Sequence, residues 1–293
     1  MRDAVTRVTR GTGVLEVIEP NDDNRVVAGL EAVPVLFKPS PVLQPFQKIV
    51  SNFGAPRYSE IDPSLFVALS FVLMFGLMFG DVGQGLVVAG VGWFLKSSKN
   101  PRLLAFRSAG YLLIVCGASA ILFGLLYGSV FGYEGWLPAL WLTPLHDVMT
   151  LLKVTVGLGI SFISIGILIN IVNKIRARNY FEGIFDKFGV IGILFYWGSL
   201  GLGLKAVRAG ELSSAEIALL VILPLAILFL REPLYNLVTR KKHLVHGDLF
   251  TYILESSIEV METVTTFLGS TVSFVRVGAF ALSHAALCLA IYS

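Results

Sequence analysis

Charge is what this sequence is short of. Only 15% of its 293 residues are Asp, Glu, Lys or Arg, while 55% are hydrophobic; soluble domains run near ~25% charged. That deficit excludes an ordinary water-soluble domain and sets the class as an integral membrane protein. Cysteine is scarce too. Cys116 and Cys288 both stand in apolar runs, so neither a disulfide framework nor a metal cluster follows, and both read as small buried hydrophobes. The basic residues form no Arg/Lys stripe with interleaved aromatics, so no nucleic-acid partner is expected. Nor is there a P-loop, nucleophile elbow or zinc-ligand pattern, and the spacing of His243 and His246 makes no metal site. No catalytic residue, metal or cofactor is therefore expected. Residues 1–60 mix Arg, Asp, Glu and Pro without an apolar core, which excludes a secretory leader there.

What the sequence has instead is long apolar blocks, at 63–95, 109–131, 151–172, 190–204, 215–230 and 258–292. One span needs about 20 apolar residues to cross ~30 Å of hydrocarbon. The four middle blocks suit one helix each. The first, near 50 Å as a single helix, carries Phe79-Gly80-Asp81-Val82-Gly83-Gln84-Gly85 at its middle. Glycines there relax the backbone, and a lipid-facing position would reject the carboxylate. The block reads as two short helices meeting at a turn near Asp81. The last block, also near 50 Å as one helix, must tilt strongly or project from the membrane. The expected architecture is an all-α polytopic bundle of about seven helices, with a first helical hairpin and a long tilted last helix.

Loop charges set the topology. Segments 1–62, 96–107, 173–187 and 231–257 hold seven, four, four and four Lys/Arg, whereas 129–150 holds none and 205–214 holds two. The positive-inside rule then favours the hairpin and a cytoplasmic N-terminus. Residues 1–62 form a cytoplasmic stub and 63–293 the transmembrane domain. Tyr133, Trp136 and Trp141 in the uncharged loop suit an interfacial aromatic belt. No internal repeat marks an inverted-repeat transporter.

Function shows in the last block. At 100° per residue, Glu262, Thr265, Gly269, Val272, Arg276, Phe280, Ser283 and Leu287 fall within about 40° of one line. Ser273 and Ala279 lie at its margins, and the small residues would let another helix approach Arg276. An arginine near mid-membrane costs at least ~2.5–3.5 kcal/mol, and its guanidinium cannot escape by deprotonating. It must face a carboxylate, a carbonyl or water. Glu262 stands about 21 Å along the axis, too far for a direct pair, so the counter-charge comes from another subunit or water replaces it. The alternative is a structural anchor paired with another helix. His284, about two turns beyond Arg276, is either a hydrogen-bonded core residue or, beside an aqueous channel, a proton relay. Asp81 is a turn-capping carboxylate or, less simply, an ion site.

These residues carry a resemblance. Phe46-Gln47-Lys48-Ile49-Val50 and Gly54 to Pro63, Met74 to Gly85, and Arg276-Val277-Gly278-Ala279-Phe280-Ala281-Leu282-Ser283-His284-Ala285 resemble the membrane-embedded a/I subunit of V-type and A-type rotary ATPases. The resemblance covers about residues 35–293. It implies that Arg276 faces the carboxylates of a rotor ring of proteolipid c subunits, and that Glu262, His284, Ser273 and Ser283 line the ion path. Asp81 and Gln84 are structural or border that path. It further implies a peripheral stalk and other ATPase subunits as partners, and the short loops point to a bacterial or archaeal plasma membrane. Gln84 stands where many members have histidine, the large N-terminal domain is reduced to a stub, and the chain stops before the family's final helix. The rival expectation is a self-contained secondary ion transporter or channel using Asp81, Glu262, Arg276 and His284.

Overall fold

The computed structural model describes residues 40–54, 60–104, 106–133, 136–211, 213–238 and 249–292. The expected stub up to residue 39, and His243 and His246, lie outside them. Among the described residues every element is helical. The helices are α1 (Gln44–Ser51), α2 (Ser64–Met78), α3 (Val82–Ser97), α4 (Pro101–Leu104), α5 (Arg107–Tyr127), α6 (Val148–Arg176), α7 (Tyr180–Phe185) and α8 (Val190–Ala209). There follow α9 (Ser214–Ile217), a π-helical segment (Ala218–Ile222), α10 (Leu223–Phe229), α11 (Arg231–Val238), α12 (Leu249–Ser273) and α13 (Val275–Tyr292). Four stretches are long and apolar enough to cross a membrane, Arg107–Tyr127, Val148–Arg176, Tyr180–Arg208 and Phe250–Tyr292. A fifth results if Ser214–Phe229 and Arg231–Leu237 form one span bent by 61°. The chain is thus an all-α, multi-pass membrane protein.

The first apolar block is two helices, of 15 and 16 residues, each shorter than a full span. Their directions follow from what α5 touches. Ser119 donates to the Val72 carbonyl (2.8 Å) and the Tyr127 hydroxyl to the Leu77 carbonyl (3.2 Å), so α2 runs parallel to α5. Gly92 lies against Gly110, and Gly85 against Gly117 and Ile121, so α3 runs antiparallel to it. The two short helices therefore reverse at Asp81, with α5 laid against both. The α3–α5 contact sets backbone against backbone: a Cβ at Gly117 would lie 2.6 Å from the Ala89 amide nitrogen and 2.7 Å from the Gly85 carbonyl oxygen. Glycines spaced by sevens on both helices (110, 117, 124 and 85, 92) bring the backbones together, which in a bilayer replaces the hydrophobic force that lipid cannot supply.

The basic segments gather at one end. The Ile61 amide donates to Asn173 (2.9 Å), Lys187 pairs with Glu262 (2.8 Å), and Arg231 reaches both Glu259 (2.9 Å) and Asp186 (3.3 Å). Lys174 pairs with Glu182 at the same end. At the far end Tyr292 donates to the Phe131 carbonyl (2.9 Å), and Lys205 pairs with Glu216 (2.6 Å).

Two expectations change. The block 215–230 is not one straight helix. Pro224 has no N–H for the Leu220 carbonyl, the turn before it widens into the π segment, and that freed carbonyl faces Gly198, where a Cβ would sit 2.8 Å away. The last block is not one continuous helix either. It is already helical at Leu249 and is interrupted at Phe274, where the Phe274 amide turns to Thr271 (3.3 Å) and the Val277 amide to Phe274 (3.0 Å). Neither Gly nor Pro causes the break. The Phe274 ring instead covers Gly159 of α6 where a Cβ would stand, and lies 6.2 Å from the Phe162 ring.

Candidate functional site

The last helix has two faces with different surroundings. Val277, Gly278, Ala281 and Cys288 of α13 are buried. Val277 and Ala281 belong to a cluster with Leu77, Tyr127, Leu142 and Leu151, and Gly278 lies on Leu152 and Thr155 of α6. Small residues set this face close to α2 and α6. One turn of that packing fixes the other face outward.

That outer face is the predicted line of eight. Glu262, Thr265, Gly269, Val272, Arg276, Phe280, Ser283 and Leu287 are all exposed. A Cβ at Gly269 would meet nothing within 4 Å. Arg276 makes no ion pair or hydrogen bond with any described residue. Its surroundings on the face are the exposed side chains of Leu268, Val272, Phe280 and Leu287. Ser273 is exposed beside it. The Ser283 hydroxyl turns back to donate to the Ala279 carbonyl (2.9 Å), the common resting place of a serine hydroxyl on an apolar helix. Glu262 marks the basic end of the face, where Lys187 holds it.

His284 belongs to a different place. It is half-buried on the inner side, its ring edge-on to Phe79 at 5.4 Å, with the Cys288 sulfur 4.0 Å from Nε2. Gln84 of α3 donates to the same sulfur at 3.5 Å. Here also stands Asp81, 0% exposed. Its carboxylate caps α3 by accepting from the Gln84 amide (2.8 Å), and accepts as well from the Ser129 hydroxyl (2.7 Å) and the amides of Phe131 (2.9 Å) and Gly132 (2.6 Å). Four donors leave the carboxylate fully occupied, so its geometry is that of a cap tying the hairpin turn to the loop after α5. Phe131 takes φ +52° to present its amide. A cavity of about 20 Å³ lies between His284, Cys288, Tyr127 and Ser129, room for about one water.

The structure thus brings Asp81, Gln84 and His284 together at the far end of the bundle, and lines Arg276, Ser273, Ser283 and Glu262 along the outer face. It does not join the two sets. Ser129, Phe131 and Cys288 were missed from sequence because a backbone amide or a thiol in an apolar run carries no pattern. Among the described residues no group of three His, Cys, Asp or Glu side chains could hold a metal ion.

Known proteins resemble this chain along most of its length. Residues 5–137 match the model of the V-type ATPase 116kDa subunit family. The V-type ATP synthase subunit I 2 of Treponema pallidum is 31% identical over 201 residues, which cover 61% of this chain and 44% of that protein. The A-type ATP synthase subunit I of Aeropyrum pernix is 28% identical over 333 residues, covering 100% of this chain and 46% of the relative. That of Methanocaldococcus jannaschii is 23% identical over 312 residues, covering 96% and 42%. The chain thus spans a little under half the length of these curated relatives. The family match includes the Asp81 turn, and the Aeropyrum match extends through the Arg276 helix. A multi-pass helical bundle with these matches is similar, over most of its length, to subunit I of V-type and A-type ATPases.

Proposed function

We propose that this chain forms the stator face of a rotary ion-translocating ATPase, with Arg276 presented to a ring of proteolipid c subunits. The observation that carries the reading is an exposed guanidinium on an apolar helix face, without a carboxylate partner among the described residues. Such a cation at membrane depth is costly unless a counter-charge arrives from outside the chain. A rotor helix bearing a buried carboxylate supplies it. At ~5 Å and an effective dielectric near ~20, the attraction is about 3 kcal/mol. That favours the ionised carboxylate as it passes, so the ion leaves on one side and is taken up on the other. It is also weak enough for the ring to move on.

In this reading the basic end is cytoplasmic, as the positive-inside rule requires. Glu262 and Lys187 stand at the mouth of the cytoplasmic half-channel, and His284, Gln84 and Ser283 border the opposite one. The transported ion is a proton or sodium, and ATP is hydrolysed or made in other subunits joined through a peripheral stalk. Lysine would not replace Arg276, because it lacks the planar fork and can lose its charge when buried.

The test is ATP-driven ion uptake by vesicles bearing the whole complex, with Arg276→Ala in the full-length subunit. Uptake abolished with assembly intact is the expected result; normal uptake would return Arg276 to a structural anchor. A companion measurement addresses the transporter alternative. Vesicles containing this chain alone should show no ion flux, and sustained flux would favour a self-contained carrier.

A further inference from the structure

A second site lies at the basic end, away from Arg276. Helix α1 lies across the ends of α2 and α5, anchored by Phe46, which is 1% exposed and set edge-on to Phe71 at 5.9 Å. Between α1 and the start of α5 opens a cavity of about 470 Å³, lined by Gln44, Lys48, Leu104, Arg107, Ser108 and Tyr111. Lys48 enters from the last turn of α1 and Arg107 from the first residue of α5. A third cation stands next to it, with Lys96 Nζ 4.9 Å above the Tyr111 ring. Among the described residues no acidic side chain lines the cavity, and Lys48, Lys96 and Arg107 form no salt bridge there.

Three like charges held around one opening repel one another unless an anion lies between them. The start of α5 adds the positive end of a 21-residue helix, and Ser108, Gln44 and Tyr111 offer neutral hydrogen-bonding groups. The surroundings on the membrane side are apolar and outward: Trp93, Phe94, Leu104 and Phe106 are 64%, 65%, 50% and 56% exposed. A polar, cationic opening beside an apolar outer wall, at the end of a span, has the two chemistries of a phospholipid. We propose that this cavity binds the phosphate headgroup of an anionic phospholipid, whose acyl chains lie along Trp93, Phe94 and Phe106. The occupant is a lipid rather than free phosphate because of that outer wall, which a soluble anion would not use.

The experiment is native mass spectrometry of the purified full chain in detergent, titrated with phosphatidylglycerol and, in parallel, with phosphatidylcholine. Phosphatidylglycerol should be retained in preference. The double substitution Lys48→Gln with Arg107→Gln should weaken its retention roughly thirtyfold, as expected for two surface cations. Lys205→Gln at the opposite end should leave it unchanged. Both variants are first checked for a monodisperse elution profile, and Lys48→Gln alone, on an exposed position, serves if the double variant aggregates, with an expected loss of about fivefold. Equal retention of the two lipids, or undiminished retention in the charge-neutralised variants, would overturn the proposal. So would complete displacement of the lipid by millimolar inorganic phosphate, which would assign the cavity to a soluble anion.

Discussion

The inner and outer faces of the last helix are built from the same few residue types, yet they obey different constraints. Inside, Gly278 and Ala281 are small because α6 and α2 lie against them. Outside, Gly269 is small although a Cβ there would meet no described residue within 4 Å, and Ala279 is small although exposed. The same contrast holds for charge. Asp81, inside, has four donors on its carboxylate, whereas Arg276, outside, has none of its five N–H groups engaged by a described residue. A buried ionic group satisfied within the chain contributes to folding; one left open on an apolar face contributes nothing until a partner arrives. Inner residues should therefore be read by stability and outer ones by transport.

That contrast can be broken by experiment. Both cysteines are buried, so thermal unfolding of the detergent-solubilised protein can be followed by a thiol-reactive dye. The largest loss is expected for Asp81→Ala, which strands three amides and a hydroxyl. About 4 kcal/mol is expected, from several unsatisfied donors at ~1–3 kcal/mol each. Gly117→Val should come next, at about 3 kcal/mol, because the new side chain would enter the backbone of α3 rather than a movable side chain. Gly159→Ala should cost about 2 kcal/mol by displacing the Phe274 ring, and Phe274→Leu in the same background should recover part of it. Arg276→Gln should stay within ~0.5 kcal/mol of the parent. If Arg276→Gln melts as early as Gly117→Val, the outer face is a packing surface of the chain itself and the contrast fails.

Much of the fold was legible because the bilayer imposes coarse rules. Run length and charge placement were enough for the multi-pass class and for the reversal at Asp81. The line of eight on the last helix was legible because helical periodicity survives the interruption at Phe274. The interruption itself was not, since it depends on the pocket above Gly159, some 115 residues earlier in the chain. The helical stretch of α12 before residue 258 was hidden for a different reason: Glu255, Ser256 and Ser257 lower the local hydropathy, although they belong to a helix that Arg231 ties down through Glu259. The sevenfold glycine spacing of α3 and α5 was in plain view but has no hydropathy signature, so a search by apolar block length passes over it. At the far end, His284 and Asp81 were visible as residue types, whereas their meeting around Cys288 and Gln84 needed the fold.

The interruption at Phe274 has a mechanical side. Any lateral force applied to the Arg276 guanidinium acts on the end of a long lever and becomes a twisting moment about the axis of α13. A smooth helix resists such a moment only through its own backbone. Here an aromatic ring two residues away is seated over Gly159 of α6, like a key in a keyway, so the moment passes into a neighbouring 29-residue helix instead of turning Arg276 away from its face.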